Sequence, residues 1–92
     1  MSIRTILASK LRDTEVIGSN GKKIGNLFDI SIDEKSGRIL GIIVTPRGED
    51  IIQIFQTDKN NNIVIAYSMI TSFSEFIVID ERRLPRRAQK SQ

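Results

Sequence analysis

Two groups of residues have types and spacings that invite chemistry. The first is the run Gly18-Ser19-Asn20-Gly21-Lys22-Lys23-Ile24-Gly25, whose backbone amides and lysines suggest a phosphate cradle. The spacing rejects that use. A P-loop places four residues between its glycines and opens a helix after the lysine, whereas here two residues intervene and a strand pattern follows. A KH-type loop needs helices on both sides, which the same pattern denies. Asn20-Gly21 reads instead as a tight hairpin turn, with glycine supplying positive φ at little steric cost. The second group is Asp29, Asp33 and Glu34. Asp29 and Asp33 share a strand face, but four residues of extended chain set them roughly 13 Å apart, too far to chelate one cation. Asp33-Glu34-Lys35-Ser36-Gly37 reads as an ordinary hairpin loop.

The sequence has no cysteine and no histidine. That removes disulfides, thiolate nucleophiles, Cys/His zinc sites and a histidine to activate any serine. The expectation is a protein that is not an enzyme and that holds no cofactor or metal.

The elements that carry these residues are read from apolar patterning. Isoleucine occurs seventeen times against five leucines, and β-branched residues suit pleated, half-buried surfaces. Turn-forming clusters at Gly18-Ser19-Asn20-Gly21, at 33–37, at Pro46-Arg47-Gly48-Glu49-Asp50 and at Asp58-Lys59-Asn60-Asn61-Asn62 separate short apolar runs. Strands are expected at 15–17, 23–33, 37–45, 50–56, 62–66 and 75–79. Around Ser68 a capping residue precedes apolar residues three apart, suggesting one helical turn. Ile3, Ile6, Leu7 and Leu11 fall at helical spacing and read as packing over one end of the domain, with a membrane anchor the lesser alternative.

Parity assigns faces. Ile24, Phe28, Ile30, Ile32, Leu40, Ile42, Ile52 and Ile54 are expected inward, and Leu27, Ile39, Ile43, Ile51 and Phe55 outward. One small core does not easily bury both sets, so the outward set is a candidate self-association surface giving a homodimer or a larger assembly.

Ninety-two residues make one domain. Its apolar runs, such as Phe76-Ile77-Val78-Ile79, fall far short of the ~20 residues that span a bilayer, and the reading is of a cytoplasmic protein. Residues 1–80 carry nine basic and ten acidic side chains, and residues 81–92 carry five basic and one acidic. The net charge of +3 therefore arises from a −1 body and a +4 end. The expected organisation is a domain over 1–80 and a mobile basic tail over 81–92. Arg82, Arg83, Arg86 and Arg87 in that tail are candidate contacts for phosphate, an anionic membrane surface or an acidic protein.

The order of turns and strands resembles the PRC-barrel family. Gly21-Lys22-Lys23-Ile24-Gly25-Asn26-Leu27-Phe28-Asp29 followed by a strand ending in Asp33 and a turn at Gly37 is similar to the family's opening G-x-x-I-G-x-x-x-D pattern. Ile65-Ala66-Tyr67-Ser68-Met69-Ile70 and then Phe76-Ile77-Val78-Ile79 are similar to its close, with Ala66 standing where proline is expected. The resemblance implies an all-β fold, a small six-stranded barrel with at most a short helical turn, used as an adaptor. Stand-alone archaeal members of this length look like cell-division proteins associated with SepF, the membrane adaptor that tethers the tubulin-like FtsZ. Other members act in ribosomal RNA processing. The resemblance thus implies a division-apparatus scaffold recruited to the membrane at the division site, or alternatively an RNA-associated protein of ribosome maturation.

Overall fold

A computed structural model describes residues 10–87. The strands are β1 (Glu15–Gly18), β2 (Lys23–Ile32), β3 (Ile39–Pro46), β4 (Ile63–Ala66), β5 (Ile70–Phe73) and β6 (Ile77–Ile79), with a short helix, α1 (Glu49–Ile54), between β3 and β4. Single 3-10 turns follow β4 at Tyr67–Met69 and β6 at Glu81–Arg83. Of the N-terminal apolar residues, Leu11 packs against the core, while Ile3, Ile6 and Leu7 lie outside the described residues.

The six strands form one sheet in the order β4-β3-β2-β1-β6-β5. Neighbours are antiparallel except β1 and β6, which run parallel. The two edge strands β4 and β5 are not hydrogen-bonded to each other, so the sheet wraps the core without closing into the expected barrel.

The expected turns form. Gly18 and Lys22 close the β1–β2 hairpin, with the Gly18 amide 2.8 Å from the Lys22 carbonyl and Gly21 at φ 88°. The Asp33 carbonyl accepts the Gly37 amide at 2.7 Å between β2 and β3. Before β4, Asp58 Oδ1 accepts the amides of Asn60 and Asn62. Gly25 has a packing reason to be glycine, because a Cβ there would sit 2.0 Å from the Thr45 carbonyl oxygen where β2 and β3 approach.

Of the stretch expected as a strand at 50–56, residues 50–54 are helical, while Phe55 is extended and bridges to Arg86. Glu49 and Asp50 supply negative charge in the first turn of the helix, and Ile51 and Phe55, four residues apart, share one face and are 0% and 3% exposed. A helix this short does not stand alone and is held by that packing. The strand missing from the expectation is β5, which lies just after the helical turn foreseen near Ser68.

The core gathers Val16, Ile24, Leu27, Ile30, Ile42, Val44, Ile63, Ile65, Ile77 and Ile79 from the sheet, with Ile51, Phe55 and Leu84 covering them. Parity therefore placed Ile24, Ile30 and Ile42 correctly and misplaced several others. Leu27, Ile51 and Phe55, expected outward, are buried, whereas Phe28 and Leu40, expected inward, are 52% and 54% exposed. Two bulges explain the sheet residues. Leu27 and Asp29 pair with the adjacent Val44 and Ile43, so Phe28 is an extra residue in β2, and Leu40 is likewise extra opposite Ser31 and Ile32. Each inserted residue switches the face that parity predicts. Ile32, Ile39 and Ile54 are half-buried against the core, and Ile52 is half-buried.

The boundary expected at residue 80 also moves. Leu84 is 3% exposed within the core, the Gln56 amide donates to the Pro85 carbonyl at 3.0 Å, and the Arg87 amide donates to the Ile54 carbonyl at 2.8 Å. Residues 81–87 are thus part of the domain, and 88–92 lie outside the described residues.

Candidate interaction surface

On β3, Ile42 and Val44 point inward, so Ile43 between them points out. Its cross-strand neighbours are Asp29 on β2 and Val64 on β4. Val64 is 58% exposed. The bulges add Phe28 beside Asp29 and Leu40 beside Gly41, and Ala66 stands opposite Gly41. The outer face of β2, β3 and β4 therefore presents Phe28, Leu40, Ile43, Val64 and Ala66, with Asp29 as the acidic residue among them. Bulges commonly re-aim side chains at functional surfaces, and here they turn two large apolar residues to solvent.

Of the outward residues expected from sequence, Ile43 belongs to this face. Ile39 is half-buried against the core, and Leu27, Ile51 and Phe55 are inaccessible to a partner. Phe28, Leu40 and Val64 were not singled out as surface residues. Val64 was legible from alternation with its buried neighbours Ile63 and Ile65, whereas the bulge residues carry no local sequence signal.

The four arginines are exposed yet engaged within the chain. Arg82 Nε lies 3.0 Å from Asp80 Oδ1, and Arg83 Nη1 donates to the Ser68 carbonyl at 2.9 Å. The Arg86 guanidinium sits 5.3 Å from the centre of the Phe55 ring. Arg87 Nε donates to the Ile52 carbonyl at 2.9 Å and Nη2 to Thr57 Oγ1 at 3.3 Å. Since the Arg87 amide also meets the Ile54 carbonyl, this residue satisfies acceptors at the C-terminal end of α1. These contacts tie residues 82–87 to the domain rather than leaving a separate docking arm.

The glycine-rich turn does receive an anion, and that anion is a side chain of the same protein. Glu81, 6% exposed, accepts through Oε2 from Ser19 Oγ at 2.7 Å and the Ser19 amide at 3.2 Å, and through Oε1 from the Asn20 amide at 3.1 Å. The Ser19 hydroxyl is the main cause that holds the Glu81 carboxyl below its ordinary pKa, with the backbone amides adding to it against the opposing effect of burial. Arg82 likewise lowers Asp80, chiefly through its side-chain hydrogen bond. Glu81 was absent from the residues singled out by sequence, where it was one charge in a basic stretch.

Asp29 and Asp33 are not brought together. Asp29 faces out beside Ile43 and bonds the Ile30 amide at 2.8 Å, while Asp33 caps the Lys35 amide in its hairpin loop at 3.0 Å. Among the described residues no group of three acidic side chains is arranged to hold a metal ion, and no helix is long and apolar enough to cross a membrane.

Comparison with known proteins places this geometry in a family. The model of the PRC-barrel domain matches residues 4–84, a span that includes Glu81 and Leu84. The chain is also 33% identical over 79 residues to the uncharacterized protein MJ1118 of the archaeon Methanocaldococcus jannaschii, covering 86% of this chain and 85% of that protein. With the motif order, the six-stranded sheet and a match across nearly the whole length in agreement, the chain belongs to the PRC-barrel domain family.

Proposed function

We propose that the protein is a non-catalytic scaffold that docks a protein partner on the outer face of β2, β3 and β4, working in the cytoplasm within an archaeal division apparatus with SepF- and FtsZ-type partners. The observation that carries the reading is the exposure of Phe28, Leu40 and Val64, each more than half open to solvent, on one sheet face. Exposed apolar patches bounded by polar residues mark interaction sites, and large aromatic anchors carry much of the energy in such interfaces. The similarity to an archaeal protein agrees with the archaeal part of this reading.

Ribosomal RNA association is the second reading, favoured by the exposed Arg82, Arg83, Arg86 and Arg87. It ranks lower because phosphate binding draws on free cationic groups, and these side chains already meet Asp80, Ser68, Phe55 and the end of α1. Phe28, Leu40, Ile43, Val64 and Ala66, moreover, carry no cation to meet a phosphate backbone.

The test is titration of the purified protein against the SepF homologue of its source organism and, separately, against ribosomal RNA fragments. Phe28→Asp should weaken SepF binding at least about tenfold, or ~1.4 kcal/mol, with no loss of melting temperature. Undiminished binding by Phe28→Asp would remove the outer face from the interface. Salt-sensitive RNA binding with no SepF binding would favour the second reading.

A further inference from the structure

Asparagine followed by glycine is a reactive pair, because the amide nitrogen that follows can attack the side-chain carbonyl and glycine has no side chain to hinder the approach. The chain holds five asparagines, at 20, 26, 60, 61 and 62, and Asn20 is the one with glycine after it. Leu27, Asn61, Asn62 and Ile63 follow the other four. Ser19, Asn20 and Gly21 are exposed at the tip of the β1–β2 turn, where water reaches both reacting groups.

In the closed turn both groups are held. The Gly21 nitrogen, the nucleophile, donates its hydrogen to the Gly18 carbonyl at 2.8 Å. The Asn20 side-chain carbonyl, the electrophile, accepts the Lys22 amide at 3.0 Å through Oδ1. The Asn20 amide donates to Glu81 Oε1 at 3.1 Å, which ties the turn to the C-terminal segment. Attack needs the Asn20 side chain to swing off Lys22 and the Gly21 amide to leave Gly18, so it needs the turn to open. Against that opening stand the three hydrogen bonds that the Glu81 carboxylate accepts from Ser19 and Asn20.

We propose that Asn20 is a site of spontaneous deamidation gated by the Glu81 carboxylate, and that its product does not re-form the closed turn. The Gly21 nitrogen bonds to Asn20 Cγ and loses its proton as ammonia leaves, giving a cyclic succinimide. Water then adds to either ring carbonyl and breaks that carbonyl's bond to the ring nitrogen. One cleavage yields aspartate at 20, and the other yields isoaspartate, whose main chain runs through Cβ and Cγ. Both products carry a new carboxylate beside Glu81. The Asn20 and Glu81 side chains converge over Gly18, where an added Cβ would lie 2.8 Å from Asn20 Oδ1 and 3.3 Å from Glu81 Cδ. Like charges so close oppose each other, and the isoaspartyl form also adds a carbon to the main chain of a turn closed by the Gly18–Lys22 and Gly21–Gly18 bonds. The tie between 81–87 and the β1–β2 turn is thus lost as the chain ages, while Leu84 keeps its hold on the core.

The test keeps the full chain at mildly alkaline pH, well below its melting temperature, and follows every asparagine by peptide mapping for the mass gain of amide-to-acid exchange. Asn20 should convert ahead of the other four. Glu81→Ala should convert Asn20 about tenfold faster or more, the scale set by hydrogen bonds to a charged group. Glu81→Gln, which keeps an acceptor, should fall between. Leu27→Ala separates local opening from general loss of stability, since it weakens the core with the Glu81 bonds intact and should convert Asn20 at close to the parent rate. The converted fraction of the parent, isolated by ion exchange, should lose hydrogen-exchange protection at the Ser19 and Asn20 amides, a measurement that needs no substitution. No conversion at Asn20, a Glu81→Ala rate no faster than that of the parent or of Leu27→Ala, or protection kept after conversion would each overturn the proposal.

Discussion

Replacing Leu84 by alanine tests whether residues beyond 80 belong to the folded domain. The side chain is 3% exposed among Ile51, Phe55 and the sheet residues, and truncating a leucine at such a site costs about 2–5 kcal/mol through lost burial and the cavity left behind. A domain of 92 residues has a total stability of roughly 5–14 kcal/mol, so this one change removes a large share of it. At about 4–8 °C per kcal/mol for a domain of this size, a loss of ~3 kcal/mol lowers the melting temperature by roughly 12–24 °C. Urea unfolding followed by circular dichroism measures the effect, and an unchanged m-value would show that the compactness of the two states is preserved. A chain ending at residue 80 loses the Glu81 and Arg87 contacts as well and should be less stable still. A melting temperature for Leu84→Ala within a degree or two of the parent would refute the placement of Leu84 in the core and restore a boundary near residue 80.

Three further outcomes follow from the packing. Leu27→Ala should destabilise by about 2–5 kcal/mol while the adjacent Phe28→Ala stays within about 1 kcal/mol, and the reverse order in thermal melts would remove the β2 bulge. Gly25→Ala should be strongly destabilising because its Cβ meets the Thr45 carbonyl oxygen, and a melting temperature equal to the parent's would show that β2 and β3 do not approach so closely. Glu81 has a folded pKa below its ordinary value of 4.5, so its contribution to stability is present above about 4.5 and is lost as pH falls through the lower folded value. Glu81→Gln should therefore melt below the parent at pH 7 and approach it toward pH 3, and a gap independent of pH would dismiss the carboxylate clasp.

Much of this fold was legible because hairpin turns announce themselves. Asn20-Gly21 and the loop at 33–37 marked the hairpins they close, the Asp58 loop marked the start of β4, and five of the six expected strands are present. What failed did so for identifiable reasons. The segment 50–56 has apolar residues compatible with either alternation or a spacing of four, and only tertiary cover over Ile51 and Phe55 selects the helix. Bulges at Phe28 and Leu40 are set by the pairing of two strands, so neither strand's own sequence reveals them. The C-terminal arginines looked free because charge dominates that stretch, yet the residues that anchor it are the less conspicuous Glu81 and Leu84. Ile43 was legible as an outward residue, while the aromatic beside it was hidden by the register shift.

The parallel pair of β1 and β6 bears on how the chain folds as it is made. β1 lies inside the sheet, but one of its two neighbours is the last strand, and the turn after β1 is held by Glu81, 62 residues away from Ser19. Contacts so distant in sequence raise the entropic cost of closure and slow folding. During synthesis the ribosome delivers β1 to β4 first, with the inner flank of β1 unpaired and the core still lacking Ile77, Ile79 and Leu84. The nascent chain therefore completes its sheet only once residues 77–87 have cleared the exit tunnel, and until then its exposed strand flank is a site where a chaperone or another nascent chain can bind.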